Sequence, residues 1–192
     1  MAILPIYICN QPVMRKRAKT VRAIEPLLRQ LAQDMMDTMH NAGGVGLAAN
    51  QVGVLERIIV VDVSEIEEYH DLPPLVMINP EVLEGEGSAV MEEGCLSIPE
   101  IRDEVERPER IVVRYRDLDW QERSLELRRM AARVVLHEID HLDGVLFIDH
   151  LSLVKRKLLR GRLNKIRKGE IEARYPVVSG DSAKKVADLI VR

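Results

Sequence analysis

Apolar residues recur at helical spacing in three segments of the chain. In the first, Leu27, Leu31 and Met35 repeat every four positions, and Gly43 ends the pattern. The pattern predicts three helices, over 26–40, about 126–142 and about 152–168.

Shorter β-branched runs predict strands at 58–63, 76–78, 82–83 and 111–115. Residues 84–110 are rich in glycine, proline and charge, which predicts mostly turns and short extended pieces. Helices segregated from hairpin-like strands indicate an α+β fold. We expect antiparallel strands packed around the helix at 126–142, with a further helix near the C-terminus.

The domain division follows from the same pattern. Residues 1–168 are predicted to form a single domain, and 169–192 a loosely docked C-terminal tail. Apolar residues of the tail favour some docking: Val186, Leu189, Ile190 and Val191.

Composition narrows the class of protein. The 192 residues include 28 Lys or Arg and 31 Asp or Glu, for a net charge of −3. This balance excludes a basic protein that coats nucleic acid, and an aromatic content of 3% argues against base stacking. No apolar run approaches the ~18 residues of a membrane span, and the first residues do not resemble a signal peptide. We therefore expect a cytoplasmic protein.

The two cysteines, Cys9 and Cys95, are too few for a secreted disulfide scaffold. Two separate thiols in a reducing cytosol are the favoured interpretation, and a single Cys9–Cys95 bridge is the alternative. Nothing chemical surrounds Cys9 in the sequence, so it is expected to be a small buried apolar residue.

The strongest chemical signal is the segment from His137 to His141, with Glu138 between the two histidines. Residues i and i+4 share a helix face, so both imidazoles can bind one divalent metal while Glu138 acts as a general base. Composition alone produces this motif about once in eighty such chains. Met130 and Val134 share the face of His137, which places the pair on an inward stripe where unliganded imidazoles would be costly.

A catalytic site of this kind needs a third protein ligand and an open position. The long metallopeptidase pattern fails, because its third ligand position is Phe147. If the third ligand were instead a glutamate downstream of His141, it would have to be Glu170 or Glu172. Both are poorly placed for this, because they follow a long basic helix. The other candidate is the thiolate of Cys95. A hidden fourth ligand, which would make the site structural, could be His40, His70 or His150.

Three segments in order resemble the peptide deformylase family: GVGLAANQ at 44–51, EGCLS at 93–97 and HEIDH at 137–141. The resemblance runs from about Pro12 to Ser152. It implies a metal-dependent hydrolase that removes the formyl group from the N-terminal formylmethionine of newly synthesised polypeptides and releases formate. One departure is Leu136, where the family commonly has Gln.

The resemblance assigns roles residue by residue. Cys95, His137 and His141 would bind one divalent metal ion, Fe²⁺ in the family, with Zn²⁺, Ni²⁺ or Co²⁺ as alternatives in isolated protein. Glu138 would be the general acid/base, which takes a proton from metal-bound water as the hydroxide attacks the formyl carbon, then passes it to the amine. In addition, Gln51 and the Leu96 N–H would hold the oxyanion, and the Gly46 backbone would pair with the substrate.

The substrate pocket is assigned from neighbouring apolar residues. Met130, Val134 and Val45 are candidates for the walls around the methionine side chain, with plain core packing as the alternative. The stem of Arg133 is expected at the rim. Arg102 is expected near the peptide end of the substrate, and Arg102 or Arg107 is expected to pair with Glu93 or Asp140.

The segment 152–168 carries eight Lys or Arg and no acid. It is interpreted first as an amphipathic surface helix whose apolar face includes Val154, Leu158, Leu163 and Ile166. Contact with ribosomal RNA is the functional alternative. No DNA or membrane partner is expected, and the glycines at 43–46 lack the residues of a nucleotide site.

Two rival functions remain open at this point. A zinc endopeptidase would use the same histidine pair but has no need of the Cys95 segment. A ribosome- or RNA-binding protein would hold a structural metal with four protein ligands.

Overall fold

The computed structural model describes residues 2–170 and 173–179. This part of the chain contains three α-helices: α1 (Pro26–Asn41), α2 (Arg129–Leu142) and α3 (Leu153–Lys168). All three predicted helices are therefore confirmed. Leu27, however, is 80% exposed, and α1 buries Ala32, Met35, Thr38 and Met39 instead.

The described residues also form strands: β1 (Ile6–Tyr7), β2 (Gly46–Ala48), β3 (Ile58–Val61), β4 (Leu75–Glu86), β5 (Ala89–Cys95), β6 (Ile98–Arg107), β7 (Arg110–Arg116), β8 (Glu122–Arg128) and β9 (Val177–Val178). The separate runs at 76–78 and 82–83 belong to one strand, β4, whose pairing with β7 shifts register twice. Helix α2 starts three residues later than predicted, because β8 pairs with β7 up to Arg128.

The main sheet has five strands in the order β2-β3-β4-β7-β8, with antiparallel pairing throughout. Helix α2 packs on this sheet through Ala131, Ala132, Val135 and Leu142. Strand β2 lies at the edge, and no other strand of the described residues pairs with its outer side. The fold is α+β, as the sequence predicts.

The prediction for residues 84–110 was wrong. Strands β5 and β6 form a long antiparallel hairpin, in which Ala89 pairs with Arg107 and Gly94 with Arg102. The buried face of β6 carries Ile98, Ile101 and Val105. Their spacing departs from strict alternation, and exposed charges separate them, so the strand signal is weak in the sequence.

Gly144 ends α2 with a positive φ of 76°. A Cβ there would lie 2.8 Å from the backbone oxygen of Arg15. The position therefore requires glycine both for its backbone conformation and for the close approach of another segment.

Helix α3 buries Leu163 and Ile166, but Leu153, Val154 and Leu158 are about 70–80% exposed. The predicted apolar face is therefore only partly buried. Among the described residues, no helix is long and apolar enough to cross a membrane.

After α3, β9 pairs in parallel with β1 and holds residues 173–179 against the body of the fold. The predicted docking residues Val186, Leu189, Ile190 and Val191 lie outside the described residues.

Candidate active site

One end of the β5–β6 hairpin lies against α2 and brings three metal-binding side chains together. Cys95 ends β5, whereas His137 and His141 lie on successive turns of α2. Their ligand atoms all lie within 4.8 Å of one another, and Cys95 Sγ is 3.1 Å from His141 Nε2. This is the candidate metal-binding cluster of the described residues.

The donor set fits one divalent ion. Metal–sulfur and metal–nitrogen bonds are about 2.3 and 2.1 Å long, so ligand atoms on one ion lie roughly 3–4 Å apart. His137 turns its Nδ1 to Glu93 Oε2 at 3.0 Å, which leaves Nε2 for the cluster. Three protein ligands leave one coordination position open, as a catalytic site requires.

Glu138 adjoins this cluster. Its side chain is buried, and its Oε2 has no hydrogen-bond partner among the described residues. Burial raises the pKa of Glu138 to about 7. A carboxylate with this environment can exchange protons near neutral pH.

Glu93 is the centre of a buried charge network. Arg107 Nε donates to its Oε1 at 2.5 Å, and Arg133 Nη1 donates to the same oxygen at 2.6 Å. Burial alone would raise the pKa of Glu93, but hydrogen bonds from His137 and Arg107 outweigh it and lower the pKa to about 2. The carboxylate thus stays ionised and orients His137.

The network continues to the protein surface through Asp140. Arg107 Nη1 donates to Asp140 Oδ2 at 2.8 Å, and His150 Nε2 lies 2.7 Å from the same oxygen. Arg107 is therefore a partner of both acids, as expected, but Arg102 is not. Arg133 lines the cavity, as expected of its stem, but it is buried and its guanidinium pairs with Glu93, so it does not lie at an exposed rim.

Gln51 faces the cluster from the 3₁₀ turn that follows β2. The Ala48 N–H donates to its Oε1 at 2.7 Å, which fixes the amide orientation. Its Nε2 lies 3.2 Å from Ser97 Oγ and 3.7 Å from Cys95 Sγ. The amide donor of Gln51 is thus directed at the cluster.

A cavity of about 720 Å³ opens beside the cluster. It is lined by all the predicted substrate-binding residues, by two of the three cluster residues, and by Gln51, Leu96 and Glu138; the first two groups are Val45, Gly46, Arg102, Met130 and Val134, and Cys95 and His137. His141, the third residue of the cluster, is buried and does not line the cavity. Arg102 lies at the exposed side, where its Nη1 is 3.5 Å from Glu92.

The alternative ligands lie elsewhere. His40 pairs with Asp62 and His150 with Asp140, while His70 contacts Asp71 and the Glu67 carbonyl. Glu170 lies near Lys168, whereas Glu172 is outside the described residues. Phe147 stacks on His137 at 6.1 Å between ring centroids. Cys9 and Cys95 are both free thiols, and Cys9 is buried.

The sequence analysis missed the buried ion pair of Arg133 and the contact of Tyr175 with the cavity. Arg133, four residues before His137, interrupts an apolar stripe, and that interruption was a usable signal of a buried ion pair. Tyr175 lines the cavity from the segment after α3. No local pattern in the sequence indicates that contact.

Comparison with known proteins decides the family. The model of the polypeptide deformylase family matches residues 3–157. This chain belongs to the polypeptide deformylase family. A peptide deformylase of Salinibacter ruber is 50% identical over 187 residues, covering 93% of this chain and 96% of that protein.

Solved deformylases also share the fold. The crystal structure from Legionella pneumophila is 37% identical with a TM-score of 0.81, covering 88% of this chain and 98% of the other. The one from Thermus thermophilus is 39% identical with a TM-score of 0.79, covering 88% and 99%. The chain is thus an enzyme that removes the N-formyl group from nascent polypeptides.

Deformylases depend on a metal, and the cluster of Cys95, His137 and His141 is the potential metal site of this deformylase.

Proposed function

We propose that Cys95, His137 and His141 hold one divalent ion, Fe²⁺ in the cell, and that Glu138 carries the proton transfers of deformylation. The observation that carries this proposal is the buried Glu138 carboxylate, whose unpartnered oxygen adjoins three converging metal-ligand side chains. A bound divalent metal would supply Lewis acidity and lower the pKa of a coordinated water.

Glu138 acts first as the base. Its carboxylate accepts a proton from the attacking water, and then delivers that proton to the amine as the C–N bond breaks. The formamide and one water thus become formate and a free N-terminal amine. The raised pKa of Glu138 suits both directions of transfer near neutral pH.

Gln51 and Leu96 stabilise the developing negative charge on the formyl oxygen. The Gln51 amide is held by Ala48 and directed at the cluster. The Leu96 backbone follows Cys95 directly and lines the same cavity. Donors fixed before the reaction cost no reorganisation when charge develops, and each such donor contributes ~10²–10³ in rate.

The open edge of β2 receives the substrate backbone. Gly46 lies in this edge strand, and a Cβ there would lie 2.6 Å from Glu138 Oε1, so β2 passes close to Glu138 at this point. Pairing with an edge strand is a common way to bind an extended peptide. Val45, Met130 and Val134 then surround the methionine side chain, and Arg102 lies toward the downstream peptide.

Formate release from formyl-Met-Ala-Ser tests this function. The protein is purified anaerobically with Fe²⁺, and acetyl-Met-Ala-Ser is the matched control, because its extra methyl group makes the carbonyl a poorer electrophile and enlarges the reacting group. Rapid release from the formyl peptide alone supports the proposal. No release from metal-loaded protein would overturn it.

The metal is tested by reconstitution. Activity per bound ion is compared for Fe²⁺, Zn²⁺, Ni²⁺ and Co²⁺, and the ion found in protein isolated without air identifies the native one. We expect the protein loaded with Fe²⁺ to have the highest activity under anaerobic conditions and to lose this activity in air. A Zn²⁺ enzyme of equal activity would contradict the assignment of Fe²⁺.

We further propose that residues 1–168 form the catalytic domain, on which residues 173–179 dock through the pairing of β9 with β1.

We also propose that α3 contacts the ribosome, so that the enzyme meets nascent chains in the cytoplasm. Exposed cations and the exposed Val154 and Leu158 support this contact. A double charge reversal, Lys157→Glu with Arg160→Glu, should weaken salt-sensitive co-sedimentation with ribosomes but not tripeptide hydrolysis. The matched reversal at Lys16 and Arg22 should leave both unchanged, and equal loss in the two variants would contradict the proposal.

A further inference from the structure

Residues 173–175 line the active-site cavity, and the residues that follow them pair with β1, although both lie beyond the part of the chain that the family model matches. The Ile6 N–H donates to the Pro176 carbonyl at 2.9 Å, and the Ile8 N–H donates to the Val178 carbonyl at 3.2 Å. The family match ends at residue 157. This segment is therefore a part of the site that the family model does not cover.

Tyr175 connects this segment to the backbone next to Cys95. Its half-buried ring lines the cavity, and its hydroxyl donates to the Leu96 carbonyl at 2.8 Å. Burial, together with the nearby Cys95, raises the pKa of Tyr175 to about 12. The hydroxyl consequently remains a hydrogen-bond donor over the pH range in which the enzyme works.

The backbone around Leu96 is held from several sides. The Cys9 N–H donates to the Ser97 carbonyl at 2.9 Å, and Gln51 Nε2 lies 3.2 Å from Ser97 Oγ. On the other side, a Cβ at Gly44 would lie 2.8 Å from Leu96 Cδ1. The Tyr175 hydroxyl adds a restraint on the Leu96 carbonyl, and thereby on the orientation of the Leu96 backbone.

We propose that Tyr175 is a positioning residue for deformylation: by binding the Leu96 carbonyl, it holds the Leu96 N–H in line with the developing oxyanion. This inference rests on the proposed role of the Leu96 N–H. It assigns to the segment after α3 a direct part in the reaction geometry, and it explains why a tyrosine with a polar tip lies at this cavity wall.

The test is Tyr175→Phe, which removes the hydroxyl and keeps the ring. Tyr115→Phe is the matched control, since Tyr115 is a buried tyrosine of β7 that does not line the cavity. Formate release from formyl-Met-Ala-Ser is measured per bound metal ion. We expect kcat of Tyr175→Phe to fall about 3- to 10-fold with KM unchanged within about twofold, and no change in Tyr115→Phe.

A second readout separates positioning from general damage. A peptide in which a tetrahedral phosphonate replaces the formyl group resembles the intermediate, so its Ki should rise by the same factor as kcat falls. Thermal unfolding midpoints of both variants should stay within about 4 °C of the wild type, so that folded enzyme is compared.

Unchanged kinetics of Tyr175→Phe beside an active wild type would overturn the role of Tyr175 alone. A lower kcat with an unchanged Ki of the phosphonate would also overturn it, because the loss would then lie outside the transition state. An inactive wild-type protein would instead overturn the proposed function.

Discussion

Gly46 has no side chain at the point where β2 passes the Glu138 carboxylate. A Cβ there would lie 2.6 Å from Glu138 Oε1 and 2.7 Å from Val134 Cγ1. Gly46→Ala must therefore displace Glu138, the pocket wall or the strand itself. We expect kcat/KM for formyl-Met-Ala-Ser to fall about 10- to 100-fold, because small misplacements of catalytic groups are costly.

Gly161→Ala is the control for this substitution. Gly161 lies in α3, where a Cβ would meet nothing within 4 Å, so activity should be unchanged. Wild-type kcat/KM in Gly46→Ala would contradict the close approach of β2 to Glu138.

Glu93 lies behind the candidate metal-binding cluster, and we expect it to control the affinity of that cluster for metal. Its carboxylate binds His137, Arg107 and Arg133, so Glu93→Gln removes the charge that orients the ligand and balances two buried cations. We expect metal affinity, measured by competition with a chelator, to fall about 10- to 100-fold.

Glu92→Gln is the neighbouring control, since Glu92 is exposed and lies 3.5 Å from Arg102. Its metal affinity should equal that of the wild type. If Glu93→Gln also binds metal as tightly as the wild type, the buried network has no part in orienting His137.

The residues of the cluster were predictable, but their supporting contacts were not. His137, Glu138 and His141 follow from helical spacing, and the resemblance added Cys95, Gln51, Leu96 and Gly46. All of these residues except His141 line one cavity, and His141 lies beside Cys95. Arg107 was among the expected partners of Glu93, but Arg133 was not, because it lies 40 positions away and only the fold pairs the two side chains.

At the scale of elements, the end of α2 determines how the chain leaves the metal site. Gly144→Ala imposes a positive φ on a residue with a side chain and places Cβ against the Arg15 backbone. We expect a loss of about 2–4 kcal/mol in the free energy of unfolding, measured by urea denaturation.

Gly43→Ala separates the two causes. Gly43 also has a positive φ, but a Cβ there meets nothing within 4 Å, so only the backbone cost of about 1 kcal/mol is expected. Equal losses in the two variants would show that contact with Arg15 contributes nothing.

Helices with a clear periodicity of apolar residues were predictable, whereas strands defined by their pairing with other strands were not. The spacing of apolar residues located α1 and α3 within one residue at each end. The hairpin of β5 and β6 is stabilised by pairing between its own two strands and by buried ion pairs, so its charged sequence looks like a loop. The same pairing extends β8 to Arg128 and delays the start of α2.

At the scale of the whole molecule, the fold brings distant segments to one cavity. Residues of β2, of the turn after β5, of α2 and of the segment before β9 all line it. Composition and pattern predicted the α+β class, but the position of residues 173–179 beside the cavity depends on pairing between β1 and β9. Such pairing joins the two ends of the described chain and leaves no local signal.

Glu138 is proposed to perform the proton transfers beside a metal held by Cys95, His137 and His141. The most direct measurement is formate release per bound metal ion by the wild type and by Glu138→Gln, with formyl-Met-Ala-Ser as substrate. We expect equal metal content and a rate about 10²- to 10⁴-fold lower in the variant. A variant that keeps its metal and releases formate within about threefold of the wild-type rate would contradict this role of Glu138.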